Sequence, residues 1–262
     1  MKNLLILLFL PLVGFSQINT SVKQLKKASD KIQRRTATQN PIQKAFDPIK
    51  YVNPFIGTGG HGHTYPGASA PFGMMQLSPD TRHDGWDGCG GYHYSDSVIY
   101  GFSHTHLSGT GVSDYADLLI SPISNKKQLD PVYMDKENGY GHSFSHQNEE
   151  AEPGFYAVFL EEAEISVRLT SDIHSGMHEY SFGKKGQERM ILLDLDYRDE
   201  LLSSDFKIES KSSISGHRIS KAWAEEQHFY FFLQCNTPFK KAKRIRKGGR
   251  NKLLLIFPEE QD

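Results

Sequence analysis

The residue types best suited to chemistry lie in one glycine-rich stretch, GWDGCGGYHYSD, at residues 85–96. Its glycines exclude a helix and its pattern lacks the alternation of a strand, so we expect a shaped loop. Trp86, Tyr92 and Tyr94 offer aromatic faces for the apolar side of a pyranose, while Asp, His and backbone amide groups reach its hydroxyls. The stretch is therefore interpreted either as a sugar subsite or as a loop that Trp86 fixes to the core.

Two histidine pairs have a spacing that is compatible with a metal ion. His61 and His63, and likewise His104 and His106, are i, i+2 pairs that share a face in extended backbone. Flanking Gly and Ser residues instead favour loop histidines held by hydrogen bonds. We assign no metal site to these pairs.

Several loop carboxylates could act as a general acid or base, and a glycosidase needs two of them at a defined separation. Asp residues beside Gly and Ser are more often turn formers, so none is assigned a catalytic role. The sequence has no G-x-S-x-G nucleophile motif, and its GTGGHG segment lacks the strand and helix of a nucleotide site. The carboxylates considered are Asp80, Asp84, Asp87, Asp114 and Asp117.

The elements that must position these residues are strands. FYAVFL, the alternating Ile165, Val167 and Leu169, RMILLDLDY, HFYFFLQC and KLLLIF are separated by turn signals such as PG, FGKKG and RKGG. The pattern predicts an all-β fold, an antiparallel β-sandwich, with residues 51–122 supplying long connections. Because only PEEQD follows KLLLIF, we expect the sandwich to be incomplete at its C-terminus.

The N-terminus MKNLLILLFLPLVGFSQ has one basic residue, a short apolar run and small residues near Ser16. This pattern predicts a secretory signal peptide at residues 1–16, not a membrane span, and a secreted or periplasmic protein. Residues 17–49 are expected to form a short basic amphipathic helix and a linker, before a β-domain at 50–262. Cys89 and Cys235 could pair outside the cytoplasm, although they lie in different kinds of segment.

The composition fits one large domain, with 262 residues of which 37% are hydrophobic. Thirty basic side chains nearly cancel 31 acidic ones. No global field therefore recruits nucleic acid or an anionic membrane, and partners must be inferred from sites.

Long phrases resemble the N-terminal domain of glycoside hydrolase family 92, a family of exo-acting α-mannosidases. They are VNPFIGTGGHGHTYPGASAPFGMMQLSPDTR, GWDGCGGYHYSD and GFSHTHLSGTGVSDYADLLISP. The resemblance implies a β-supersandwich packed on a C-terminal (α/α)₆ barrel, calcium dependence and inversion of configuration. It also implies release of terminal, often α-1,2-linked, mannose from N-glycans or mannan. Because both catalytic carboxyls and most calcium ligands belong to the barrel, which this sequence lacks, we expect the chain alone to be inactive.

The family's substrate pocket is lined by the Trp of its GWDGC phrase, which is Trp86 here. Two positions depart from the family pattern, Val112 and Ala116, where Cys and Gly are frequent. A stand-alone mannose-binding β-sandwich, or a purely structural role, remains an alternative. We expect the following residues to bind an α-linked mannose oligosaccharide: Trp86, Asp87, Gly88, Cys89, His61 and His93.

Overall fold

The computed structural model of the protein describes residues 4–7, 47–124, 140–184, 186–247 and 250–259. Short 3₁₀ helices lie at Pro48–Tyr51 and His146–Asn148. The strands in these ranges are β1 (Leu4–Leu7), β2 (Ala68–Ser69), β3 (Gln76–Asp80), β4 (Val98–Ile99), β5 (Gly101–Ser103), β6 (Leu119–Ile123), β7 (His142–Ser143), β8 (Glu149–Glu152), β9 (Phe155–Leu160), β10 (Ile165–Ser171), β11 (Gly176–Phe182), β12 (Met190–Asp194), β13 (Glu200–Ile208), β14 (Ser213–Lys221), β15 (Gln227–Cys235), β16 (Lys241–Lys247) and β17 (Arg250–Ile256).

The strands form two large sheets and one small one. The first has eight strands in the order β13-β14-β15-β1-β11-β10-β9-β8, and the second has seven in the order β16-β17-β12-β6-β5-β3-β2. Strands β4 and β7 form a separate pair. Every pairing among the described strands is antiparallel, which confirms the predicted fold class.

One core lies between the two large sheets. Strands β9 and β10 alternate buried with more exposed residues, so one face of each points into this core. The ring of Phe102 on β5 meets those of Tyr156 on β9 and Tyr180 on β11, each at a centroid distance of 6.5 Å. These aromatic contacts join residues of the two sheets across the sandwich.

The seven-stranded sheet is buried on both faces at its centre. Every residue of β6 and of β12 is buried, and a second apolar cluster includes Leu119, Met190 and Leu192. Burial on both faces explains why β12 reads as the continuous run MILLD. The pairing of β12 with β17 places Asp194 opposite Lys252, and the two side chains form a buried ion pair.

The predictions for the N-terminal segment are not tested by the described residues. Leu4–Leu7, inside the predicted signal peptide, forms strand β1 of the eight-stranded sheet. The predicted helix within residues 17–49 lies outside the described residues up to position 46; residues 11–52 form a second compact unit, of which 47–52 are described. No helix in the described ranges has the length and apolar character needed to cross a membrane.

Candidate functional site

The base of the glycine-rich loop is held closed by one ion pair and several hydrogen bonds. The backbone amides of Thr81 and Arg82 both donate to the Gly91 carbonyl, at 2.7 and 3.1 Å. The Arg82 guanidinium donates to both carboxylate oxygens of Asp96, and Thr81 Oγ1 donates to Asp96 Oδ2 at 2.7 Å. Asp96 therefore shapes the loop, because its carboxylate is fully occupied in closing it.

Trp86 projects from this loop with 57% of its surface exposed. His61 lies beside the indole at a ring distance of 5.0 Å, and His63 meets it edge-on at 4.3 Å. Gly111 supports the indole from the neighbouring segment, since a Cβ there would lie 1.8 Å from Trp86 Nε1. The indole is thus held in place on one side and open on the other, as an aromatic platform requires.

Asp87 carries the negative charge of the platform. Its Oδ1 accepts a hydrogen bond from His61 Nδ1 at 2.7 Å, and His63 Nε2 lies 3.4 Å from the same oxygen. The hydrogen bond from His61 lowers the pKa of Asp87, so its carboxylate is ionised at neutral pH. The His63 ring is only 8% exposed, and its Nε2 makes no hydrogen bond within the described residues.

Gly88 and Cys89 connect the platform to the body of the domain. A side chain at Gly88 would lie 2.1 Å from the Asp84 carbonyl oxygen, so this position accepts only glycine. Cys89 is buried, its thiol donates to the Thr110 carbonyl at 2.5 Å, and burial raises its pKa. Its side chain supports the loop from below, and Cys89 and Cys235 are both free thiols.

His93 joins the two loops of the site. Its Nε2 lies 3.1 Å from the Gly60 carbonyl and its Nδ1 lies 2.8 Å from Ser95 Oγ. Since a carbonyl oxygen only accepts, Nε2 carries the proton and Nδ1 accepts from the serine. The His61 segment and the Trp86 loop are therefore linked at a point beside the platform.

Arg198 is a buried neighbour of the candidate site that the sequence does not indicate. It follows β12, is only 5% exposed, and donates from Nη2 to the Gly88 carbonyl and from Nε to Ser113 Oγ, both at 2.6 Å. It thereby joins the Trp86 loop to the segment that contains Gly111. The partners are 110 and 85 residues away in sequence, so no local pattern could have indicated them.

Most of the carboxylates considered for catalysis are buried in the domain. Asp80, Asp114 and Asp117 are at most 5% exposed. Burial raises the pKa of Asp80 to about 7, and Asp117 accepts hydrogen bonds from Thr105, Gln227 and Arg218. Asp117 also borders a separate depression of about 490 Å³ near Met74 and Phe229, but its oxygens are already occupied. These three groups are enclosed within the domain and are not exposed at the platform.

His104 and His106 do not form a metal pair, because they belong to different hydrogen-bond systems. His106 lies between the Gly90 carbonyl and Ser103 Oγ. His104 Nδ1 donates to the Leu118 carbonyl at 2.7 Å, which leaves its Nε2 to accept from His178 Nε2 at 3.0 Å. Both are the hydrogen-bonded histidines that the sequence left as the alternative.

A calcium site is not assembled by the described residues. Within residues 4–7, 47–124, 140–184, 186–247 and 250–259, no group of three or more His, Cys, Asp or Glu side chains could hold a metal ion. The nearest arrangement at the platform is His61, His63 and Asp87, whose nitrogens are poor partners for a cation that prefers oxygen. These residues do not fit calcium.

Comparison with known families identifies the domain. Residues 51–256 match the model of the glycosyl hydrolase family 92 N-terminal domain. The chain belongs to glycosyl hydrolase family 92. This match spans the platform, both loops and every described strand except β1.

The chain spans only a part of the similar proteins described here. It is 31% identical to an α-mannosidase of family GH92 from Bacteroides thetaiotaomicron, solved alone and with mannoimidazole, with a TM-score of 0.74 in both cases. The match covers 81% of this chain and 30% of the mannosidase bound to mannoimidazole. An uncharacterized secreted glycosidase from Arthroderma benhamiae is 30% identical over 158 residues, 57% of this chain and 20% of that protein.

The family 92 domain brings the predicted site residues together. Trp86, Asp87 and His61 form the exposed platform. Gly88 and Cys89 lie beneath it, and His93 lies beside it. The edge-on contact of His63 and the support from Arg198 and Gly111 are additions that only the three-dimensional structure provides.

Proposed function

We propose that this chain is the N-terminal, substrate-shaping part of a secreted exo-α-mannosidase that acts on α-linked mannose of N-glycans or mannan. The observation that carries the proposal is the exposed Trp86 indole beside the ionised Asp87, within a family 92 domain. The indole covers the C–H face of a mannose, and the Asp87 carboxylate accepts hydrogen bonds from its hydroxyls. Together they fix the orientation of a terminal sugar.

Hydrolysis with inversion needs one carboxylic acid and one carboxylate on opposite faces of the sugar. Asp87 is held ionised by His61, and Asp80 and Asp117 are enclosed in the domain, so we assign neither role to this chain. The chain spans about 30% of the mannosidase bound to mannoimidazole. Both roles, and calcium binding, are assigned to the remainder of a family enzyme, and this chain contributes binding and orientation.

Turnover is tested with the purified chain and an aryl α-mannoside, once with calcium and once with EDTA. We expect no release of the aryl group above the rate in buffer under either condition. Calcium-dependent turnover would show that the acid and base lie within this chain and would overturn the assignment of roles.

Sugar binding is tested by titrating α-1,2-mannobiose into the wild-type chain and two tryptophan variants. Because one wall of a pocket makes few contacts, we expect a Kd of about 1 mM, weakened about tenfold or more in Trp86→Ala. Trp223→Ala is the matched control, since Trp223 is also exposed, at 67%, and lies outside the site. Equal affinity of the two variants would contradict the platform.

The alternative function is a stand-alone mannose-binding module, which the exposure of Trp86 favours. A complete binding site would give a Kd of about 1–10 µM in the same titration, again lost in Trp86→Ala. That affinity would favour the module over the pocket wall.

A further inference from the structure

Strand β1 differs from every other described strand in its origin. It comes from the apolar run whose sequence pattern predicts a signal peptide, yet it lies within the eight-stranded sheet, between β15 and β11. Leu4–Leu7 pairs with Tyr180–Met177 of β11, and Ile6 and Leu7 pair with Cys235 and Gln234 of β15. We call the space between β11 and β15 that this strand fills the β11–β15 gap.

The β11–β15 gap needs an occupant for the domain to be complete. Without β1, the sheet separates into β13-β14-β15 and β11-β10-β9-β8. The residues that border the gap are core residues, since Tyr180, Leu233 and Cys235 are at most 2% exposed. An empty gap would leave the facing backbone N–H and C=O groups of two central strands unpaired and would open the core to water.

Removal of a signal peptide would remove β1, so one segment cannot serve both purposes in the secreted protein. We propose that the β11–β15 gap is a strand-acceptor site, which in the processed protein binds an extended apolar segment from the part of the family enzyme outside this chain. The leader segment occupies the gap before processing. The proposal rests on the proposed secretion and on the 30% share of the mannosidase that this chain spans.

The bordering residues define the chemistry of the occupant. It runs antiparallel to both neighbours, as β1 does. Tyr180, His178 and Cys235 are buried, so the positions of the occupant that pair with them require apolar residues. Glu179 and Gln234 are polar and half-buried, so the positions that pair with them do not. The occupant is therefore a strand with apolar residues at alternate positions, added through main-chain hydrogen bonds.

The position of β1 is tested in the full unprocessed chain by disulfide formation. Ile6 lies opposite the free Cys235, so Ile6→Cys should cross-link to Cys235 under an added oxidant. Leu7→Cys is the matched control, because position 7 faces Gln234 and a shift of one residue turns a side chain to the other face. Absence of the cross-link between position 6 and Cys235 by peptide mass spectrometry would remove the basis of the proposal.

The acceptor function is tested on the secreted chain, whose N-terminus is first determined by mass spectrometry. Alkylation by iodoacetamide should label Cys235 once the gap is empty, while Cys89, held against the Thr110 carbonyl, stays unlabelled as the internal control. A lysine-flanked Leu-Leu-Ile-Leu peptide should slow labelling of Cys235 by about tenfold or more, because it restores the strand. The same peptide with proline in place of Ile should not, since proline lacks the N–H group.

Two results would overturn the proposal. The first is a secreted chain that retains residues 4–7 and keeps Cys235 protected, since the leader would then be a permanent strand. The second is a processed chain in which the peptide leaves the labelling of Cys235 unchanged. Both are independent of the mannobiose titration and the turnover assay, so failure of the acceptor site and failure of the proposed function are distinguishable.

Discussion

At the scale of single residues, the orientation of Trp86 depends on groups that never contact a ligand. Arg198 donates to the Gly88 carbonyl from one side of its guanidinium and to Ser113 from another. Like Cys89, which donates to the Thr110 carbonyl, Arg198 joins the loop bearing Trp86 to the segment bearing its support, Gly111. Its removal should therefore loosen the platform without touching its surface.

Arg198→Met tests this role because methionine fills a similar volume and donates no hydrogen bond. Loss of two buried, charge-assisted hydrogen bonds should lower the free energy of unfolding by about 2–4 kcal/mol, measured by urea denaturation. In a Trp223→Phe background, where Trp86 is the remaining tryptophan, its emission should shift to the red as the indole becomes more solvated.

Arg168→Met is the control for the loss of an arginine in general. Arg168 pairs with Glu179 on the sheet surface at 2.6 Å, and its side chain is 56% exposed. An exposed pair contributes less than about 1 kcal/mol. If both variants lost the same stability and Trp86 emission stayed unchanged, Arg198 would have no particular role at the platform.

At the scale of elements, the segment from His104 to Asp117 forms the support on which the indole lies. Gly111→Ala should displace Trp86, because the added Cβ would lie 1.8 Å from its Nε1. The expected result is a loss of mannobiose affinity of about tenfold, close to that of Trp86→Ala, with an unchanged circular dichroism spectrum.

Gly59→Ala is the matched control for that substitution, since its Cβ would meet only Tyr94 at an ordinary 3.6 Å. It should retain wild-type affinity. Retention of affinity by Gly111→Ala as well would show that the indole does not need this support.

The strands that could be predicted from the sequence are those with an apolar face. β9, β10, β12, β15 and β17 were all indicated by alternation or by a continuous apolar run. β13 was not, because its residues are mostly exposed or half-buried and it shows no clear pattern. The sequence QLSPD did not predict β3 either, because this strand buries the polar residues Ser78 and Asp80 and so lacks an apolar pattern.

The site was predictable as far as its chemistry is local. Trp86 and Asp87 lie in one short stretch whose composition indicates a sugar subsite. The hydrogen bond from His61 to Asp87 joins residues that are 26 positions apart in sequence, and the hydrogen bond from Arg198 to the Gly88 carbonyl joins residues that are 110 positions apart. Contacts of that sequence separation depend on how the strands are ordered in the sheets, which a single sequence does not specify.

At the scale of the whole molecule, buried histidines link folding to pH. Burial lowers the pKa of His104, His106 and His142 to about 4, and it also lowers the pKa of His178 well below the ordinary value of 6.5. His178 accepts from the Tyr180 hydroxyl and donates to His104, an arrangement that only neutral rings satisfy. Each ring is protonated in the unfolded chain below about pH 6.5 but resists protonation when folded, so stability is lost as pH falls.

Two buried carboxyls oppose this trend. Burial raises the pKa of Asp80 to about 7 and that of Asp199 to about 6, so the folded protein binds these protons more tightly than the unfolded chain. Their contribution to stability is present at low pH and is lost as pH rises through those values. Between pH 6 and 4 the effect of the four histidines on stability is larger than the opposite effect of the two carboxyls. The free energy of unfolding should therefore fall by about 2–3 kcal/mol per pH unit on acidification.

Urea denaturation at half-unit steps from pH 7 to 4 measures this dependence, and His142→Gln assigns part of it. Glutamine keeps a donor for the Pro122 carbonyl, which His142 Nε2 contacts at 2.9 Å, but it cannot be protonated. The slope between pH 6 and 4 should therefore decrease by about 1 kcal/mol per pH unit. His174→Gln, at an exposed position, should leave the slope unchanged. Equal slopes in all three proteins would mean that acid stability is set by groups other than the enclosed histidines.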